Sequence, residues 1–394
     1  MTATDPRATA APSNTSAVFS QLLNAPSPMT KQEVAQAVGV SLPTVYQAFN
    51  ALEERGLLTA GEERTSTGGR RAATFGITDK GFGSIGISVT GTELRAVVCN
   101  LQGVRYKGLA CDVPLASSGS AAALNRAIQN LLNELEAQMR ELDIELIGLG
   151  IGIPSAVDPA SGRLINTKVM RLTDEVAYAR DLTAGITCPA RVFNDADCGA
   201  FSQFCPGGGV GYESEPRALE RIGRTLVYLS IERGVGGSIL IDGIPVRGSH
   251  NLSAEFGHIC VETDGKPCTC GQKGCLEAYC STTVLSDDQG CTLEEFFERV
   301  SNGDKRATAA LDDYLEHLAR GIHAIRMVLD CPVVIGGIMS FYLVPYIGRI
   351  NARVRELDPF ETGDEQLALQ SVHPFHGVAF GAALQMIDRF AASL

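Results

Sequence analysis

Aromatic residues are scarce, at 6% of 394, and prolines number 17 against 42 glycines. That usage excludes disordered, collagen-like and disulfide-miniprotein classes, and it suits an α/β protein with many tight strand-to-helix turns. No hydrophobic run reaches the roughly 18 residues that span a bilayer, because Glu, Arg or Gly interrupts each one. The first thirty residues lack the basic-then-apolar order of a secretory signal. The twelve cysteines are therefore read in a reducing compartment, and a soluble, cytoplasmic protein with no membrane partner is expected. Positive charge is short as well. Thirty-three Lys and Arg face 45 Asp and Glu, a net charge of −12, so the molecule as a whole repels polyanions. Any nucleic-acid surface has to be a local exception. A chain of this length, 45% hydrophobic, has room for two or three cores.

Residues 1–13 hold too little apolar surface to offset ordering entropy and read as a disordered tail. Residues 14–79 read as a DNA-binding unit. Val18, Leu22 and Leu23 recur at helical spacing until Pro26 and Pro28, and Thr30 can cap a second helix carrying Val34, Ala35 and Val38 on one face. Gly39 bends the chain into a third helix, capped by Ser41, with Pro43 in its first turn and Val45, Phe49 and Leu52 as its buried stripe. Small Ala35, turn Gly39 and buried Val45 resemble the helix-turn-helix family. The strand-like GLLTAGEE and AATFGIT flank RTSTGGRR, which extends the likeness to a winged helix-turn-helix with a cationic hairpin tip.

The third helix would present Leu42, Thr44, Tyr46, Gln47 and Asn50 outward, behind Ser41. Gln47 and Asn50 suit adenine edges, while Arg64, Arg70 and Arg71 in the wing suit phosphates or a minor groove. The alternative is a plain three-helix bundle with solvated arginines. Through residue 78, six cations (Arg7, Lys31, Arg55, Arg64, Arg70, Arg71) balance six anions (Asp5, Glu33, Glu53, Glu54, Glu62, Glu63). So weak a local charge implies two copies sharing one operator duplex.

From Phe82 onward strands alternate with helices in two similar halves, with a ligand cleft expected between them. The first lobe is assigned to 80–195 with 377–394. The second is assigned to 196–376, carrying a metal motif and the dimerisation surface. That motif is His258 followed by Cys268, Cys270 and Cys275. Three thiolates and an imidazole can close tetrahedrally around Zn²⁺ with no open position, which makes the site structural. Buried or paired cysteines are the alternative, although C-x-C is too tight for an ordinary disulfide. Cys260 is a possible substitute ligand.

The run from Glu255 to His258 and from Cys268 to Glu277 matches C-x-C-G-x-x-G-C-x-E preceded by E-x-G-H. In this it resembles the ROK family of repressors and sugar kinases, over about residues 80–394, and the winged helix-turn-helix matches the repressor branch. The resemblance implies a two-lobed, actin-like, ribonuclease-H-type sugar-kinase fold. It also implies zinc on His258, Cys268, Cys270 and Cys275, and homodimers or homotetramers. A sugar would be held by Asn194, Asp195, Glu255, His258 and Glu277, with Gly152–Pro154 and Gly248–Asn251 as further contact candidates.

Asp195 is also where the family's kinases keep their general base, but the phosphate loops depart from the kinase pattern. The family's D-x-G-G-T reads Ser88, Val89, Thr90, Gly91, Thr92 here, and its G-T-G-x-G reads Glu232, Arg233, Gly234, Val235, Gly236. Gly336, Gly337 and Ile338 lack a usual third glycine. Asp197 stands where the family commonly has Asn, adding negative charge that Arg233, Arg247 or Lys168 would have to compensate. The expectation is a non-enzymatic, sugar-responsive transcriptional regulator, most simply a repressor of carbohydrate uptake or catabolism genes. The effector is left open between a sugar, possible amino sugars included, and a sugar phosphate. An ATP-dependent sugar kinase with an appended DNA-binding domain is the alternative. A zinc hydrolase is disfavoured because four protein ligands leave the metal no open position.

Overall fold

The computed structural model describes residues 13–65, 71–115, 119–165, 170–203, 225–360 and 366–394. Arg70 and Lys168 lie outside them. Ser13, assigned above to the tail, instead opens the first helix: its hydroxyl accepts the Ser16 N–H at 3.0 Å as the N-cap of α1 (Asn14–Asn24). After a two-residue strand, β1 (Met29–Thr30), α2 (Lys31–Val38) begins with a reciprocal cap. The Thr30 hydroxyl accepts from Glu33 N–H, and the Glu33 carboxylate accepts from Thr30 N–H at 2.6 Å. Gly39, left-handed at φ 75°, turns the chain toward α3 (Leu42–Glu54), which Ser41 caps. The wing follows as β2 (Leu58–Ala60), β3 (Arg64–Thr65), β4 (Arg71–Ala72) and β5 (Thr74–Ile77). β5 lies between β1 and β2, and β3 pairs antiparallel with β4.

The body contains two five-stranded sheets of one design. The first uses β6 (Phe82–Val89), β7 (Glu93–Cys99), β8 (Arg105–Pro114), β9 (Glu145–Ile153) and β10 (Ala190–Asn194) in the order β10-β9-β6-β7-β8, and α4 (Ala121–Glu141) packs on one face. The second uses β11 (Thr225–Ile231), β12 (Val235–Ile241), β13 (Ile244–Pro245), β14 (Val333–Gly336) and β15 (Ala368–Gln370) in the order β13-β12-β11-β14-β15. In both, three strands run antiparallel on one side of the sheet and two more join in parallel on the other. Between the sheets in the chain lies α5 (Asp195–Ser202). The later helices are α6 (Leu293–Ser301), α7 (Lys305–Leu329), α8 (Ile347–Leu357) and the C-terminal α9 (Gly377–Ala392).

The G-x-G alternation of β9 has a packing cause. Leu149, Ile151 and Ile153 point into the core beneath α4, while the glycines face α9. A Cβ on Gly150 would stand 2.2 Å from the Ala382 carbonyl oxygen, and one on Gly86 of β6 would stand 1.8 Å from that of Ala379. Gly381 of α9 sits in the same way against Cys198 of α5, at 1.7 Å.

Another side of α9 joins the helix-turn-helix. Val18, Phe19, Leu22, Val34, Phe49 and Leu52 share one core with Val97, Cys99 and Leu101 of the first sheet region and with Phe380, Ala383, Leu384, Ile387 and Ala391 of α9. The Phe19 ring meets Phe390 edge-on at 6.1 Å. The N-terminal unit is thus continuous with the body's core. Gly381→Ala forces α5 and α9 apart, and we expect a loss of roughly 2–4 kcal/mol of stability, read as a lower midpoint in urea denaturation.

Candidate functional site

The metal-ligating residues come from a turn and a hairpin-like loop. His258 ends a single 3₁₀ turn, Phe256–His258. The segments that follow it and that follow Gly274 pair through Cys260 and Cys275, with Val261 N–H donating to the Gly274 carbonyl and Leu276 N–H to that of Ile259. The ligand atoms of His258, Cys268, Cys270 and Cys275 lie within 4.8 Å of one another, and among the described residues they form the one such cluster. Cys268 Sγ is 3.7 Å from His258 Nδ1, and Cys270 Sγ is 3.7 Å from Cys275 Sγ. Metal–ligand bonds of about 2.0–2.3 Å in a tetrahedron give donor–donor edges of about 3.6–3.8 Å, so these two edges match such an ion. Cys260 is outside the cluster, its thiol directed to the Glu262 carbonyl.

Two sulfurs titrate in opposite directions. The Gln272 backbone amide holds Cys270 below the usual thiol range, whereas burial and the neighbouring sulfurs push Cys275 up to about 12. A cation would relieve that crowding. The loop is also anchored from α7. Tyr279 stacks on His317 at 3.9 Å and accepts the Lys266 N–H, and Glu262 pairs with Arg320. Arg320 and Arg353 share Glu316, whose carboxyl their hydrogen bonds hold down at about 2.

The expected ligand-binding side chains form two groups. Asn194 closes β10 and caps α5, its Oδ1 accepting the Asp197 N–H at 3.0 Å. Asp195 follows as the first helical residue, accepting from Ala196 N–H at 2.7 Å. Desolvation pushes its carboxyl up to about 7 against that bond, and the charges of Glu232 and Asp197 push the same way. In the other group Glu255 is raised by desolvation, with Glu277 adding to the effect and His258 opposing it. Glu277 Oε1 accepts from the Thr269 hydroxyl at 2.9 Å, and its Oε2 from Val235 N–H at 3.1 Å. This residue therefore fastens the metal loop to the start of β12.

Contacts across the chain tie the segments that carry these residues to other parts of the fold. Asp197 accepts from Arg247 at 2.5 Å and from the Ser238 hydroxyl at 2.7 Å, which identifies Arg247 as the compensating cation. Arg233 pairs instead with Asp287. Asn251 donates to the Val157 carbonyl at 2.7 Å, and Asn194 donates to that of Ser155. Sequence reasoning missed the destination of Glu232: its carboxylate accepts the Ile338 N–H at 2.9 Å. A glutamate opening a loop that contains Gly234 and Gly236 was the available signal.

On α3, Gln47 and Asn50 are exposed and Tyr46 is half exposed, while the Ser41 and Thr44 hydroxyls bond each other at 2.8 Å. Lys31 stands over the rings of Tyr46, Phe49 and Phe75 at 4.8–4.9 Å, a cation–π seat that ties α2, α3 and the wing together. Arg64 donates to the Ser27 hydroxyl, and exposed Arg71 lies 3.8 Å from Glu63.

The ROK family profile matches residues 84–357, and the IclR helix-turn-helix domain profile matches residues 11–61. The chain belongs to the ROK family. Its relatives include the xylose repressor of Bacillus subtilis, 24% identical over 66% of this chain and 63% of that protein's length. They also include the N-acetylmannosamine kinase of Salmonella typhi, 26% identical over 76% of this chain and 97% of that one. Among solved structures, a ROK family transcriptional regulator homologous to the E. coli MLC protein superposes with a TM-score of 0.71 at 17% identity, covering 96% of both chains. A ROK glucokinase from Streptomyces griseus, solved with glucose and AMPPNP, gives 0.61 at 22% identity and covers 98% of itself but 76% of this chain. Among the described residues no helix is long and apolar enough to cross a membrane.

The raised carboxyl of Asp195 has a consequence for stability within this ROK fold. Below the unfolded pKa, about 4, both states are protonated; between there and about 7 the folded state alone keeps the proton, so stability falls as pH rises. Asp195→Asn keeps the Ala196 hydrogen bond without the charge. Its thermal midpoint should match the parent at pH 4 and exceed it at pH 8 by the equivalent of roughly 1–3 kcal/mol.

Proposed function

We propose that this chain is a sugar-responsive, DNA-binding transcriptional regulator, most simply a repressor of carbohydrate uptake or catabolism genes that leaves its operator when a sugar or sugar phosphate binds. The observation that carries this reading is the shared core of the helix-turn-helix and α9, joined on another side of α9 to α5, whose first turn holds Asp195. A ligand that shifts α5 moves a helix on which α1 rests. A coupling of about 1–3 kcal/mol is typical for such linkage and changes affinity about 5–150-fold. Asn194, Asp195, Glu255, His258 and Glu277 would hold the sugar hydroxyls as donors and acceptors. His258, Cys268, Cys270 and Cys275 would hold a structural zinc ion, which fixes the segment carrying Glu255 and Glu277. On the DNA, Ser41, Thr44, Tyr46, Gln47 and Asn50 would face the major groove and Arg64, Arg70 and Arg71 the backbone or minor groove, in a homodimer or homotetramer that engages two half-sites.

The loops in which a kinase would cradle phosphates support a non-catalytic reading, because several of their N–H groups already have acceptors. The Thr90 hydroxyl accepts from Thr92 and Glu93, Glu277 accepts from Val235, and Glu232 accepts from Ile338. One observation favours the kinase alternative: a carboxyl near pH 7 at Asp195 suits a general base. An ADP-release assay over a hexose and amino-sugar panel decides between them. Turnover that disappears in Asp195→Asn would establish catalysis, and no turnover is expected.

Two further outcomes test the regulator. Arg71→Ala should weaken binding to operator DNA, selected from random duplexes, about equally across sequences and lower the salt slope by about 1 in fluorescence anisotropy, whereas Asn50→Ala should relax preference at one base pair at a cost of about 1–3 kcal/mol. Cys268→Ser with Cys270→Ser should abolish metal content by elemental analysis and sugar-induced DNA release together. A metal-free protein with an unchanged sugar titration would refute the role given to the ion.

A further inference from the structure

Asp195, Asp197, Glu232, Glu255 and Glu277 bring five carboxylates to this region. Asp195 lies in the field of Glu232 and Asp197, and Glu255 in that of Glu277. The arginines beside them are each already paired with a carboxylate. Arg247 is held by Asp197 at 2.5 Å. Burial raises the Glu232 carboxyl and the charge of Arg95 opposes that rise, but Arg95 is itself held by Glu93 at 2.5 Å and donates to the Phe375 carbonyl, and Arg233 is held by Asp287 at 2.8 Å. The neutral donors that most often receive phosphate oxygens, backbone N–H groups of glycine-rich loops, are committed too. Val235 N–H goes to Glu277 and Ile338 N–H to Glu232, whose carboxylate already occupies the place an anion would take at that amide. A phosphate ester entering here would meet carboxylates in excess of the available cations in a partly desolvated setting, whereas the hydroxyls of an uncharged sugar would find strong acceptors.

We infer that the site takes an unphosphorylated sugar, and that Glu232 is the residue that excludes its phosphate ester. This rests on the sugar-responsive reading above and narrows it to one ligand class. The test is isothermal titration of the full-length, metal-loaded protein at pH 7.5 with D-xylose, D-glucose and N-acetyl-D-mannosamine, each beside its terminal phosphate ester. The expected result is that a free sugar binds at least about tenfold more tightly than its ester. An ester that binds as tightly as the free sugar, or more tightly, overturns the inference and leaves the sugar reading standing. Silence from all three free sugars and all three esters counts against the sugar reading itself, and the inference falls with it.

Glu232→Gln then locates the discrimination. The amide oxygen can still accept from Ile338 N–H while the charge is gone, so the ester's affinity should rise about tenfold and the free sugar's should change far less. An ester affinity that stays put in a folded variant removes Glu232 from the role. The parent comparison remains decisive should the variant fail to fold.

Discussion

The close approach of α9 to its neighbours is the constraint on which the rest of this molecule depends. Gly86 and Gly150 let its backbone lie against the first sheet, and Gly381 lets α5 cross it at backbone distance. At these three positions backbone meets backbone directly, and close-packed interiors transmit small shifts with little compression. Larger apolar residues elsewhere on the same helix, Phe380, Leu384 and Ile387, hold the N-terminal helices. One rigid element thus touches the helix that begins with Asp195 and the helices that precede the wing. The physical basis for communication is packing through shared neighbours, with no long-range charge required.

A second principle is that most of the acidic groups near α5 are answered locally. Asp197 has Arg247 and Ser238, Glu277 has Thr269 and the Val235 amide, and Glu232 has the Ile338 amide. These bonds also act as fasteners. They tie α5 to β12, the metal loop to β12, and the end of β11 to the turn after β14. Asp195, Glu232 and Glu255 are nonetheless raised, chiefly by burial, with neighbouring carboxylates adding to the effect. Ligand hydroxyls that donate to them would relieve a cost already present in the ligand-free protein.

The metal loop is held from both sides. Its sulfurs and imidazole converge on a centre, while Tyr279, Glu262 and Lys266 brace its outer face against α7. Such bracing explains how a loop rich in glycine keeps four ligand atoms within 4.8 Å. It also places Glu277, two residues after the last ligand Cys275, in reach of the second sheet.

The sequence by itself determined those features whose cause is local. The caps at Thr30 and Ser41, the turn at Gly39, the apolar stripes of the first three helices and the cysteine spacing all act within a few residues, and each is where the residue types require it. Two similar α/β halves were visible as pattern, but the strand order they share and the packing role of the β9 glycines were not. Tertiary structure alone decided that Ser13 belongs to the first helix, that Arg247 and not Arg233 answers Asp197, that Glu232 turns onto the Ile338 amide, and that α9 carries the helix-turn-helix and α5 together. Apart from the Ser13 cap, these outcomes join residues far apart in the chain. Which of several suitable partners a charge or a bare backbone meets is set by how the sheets and helices stack, and that information is spread over the whole fold.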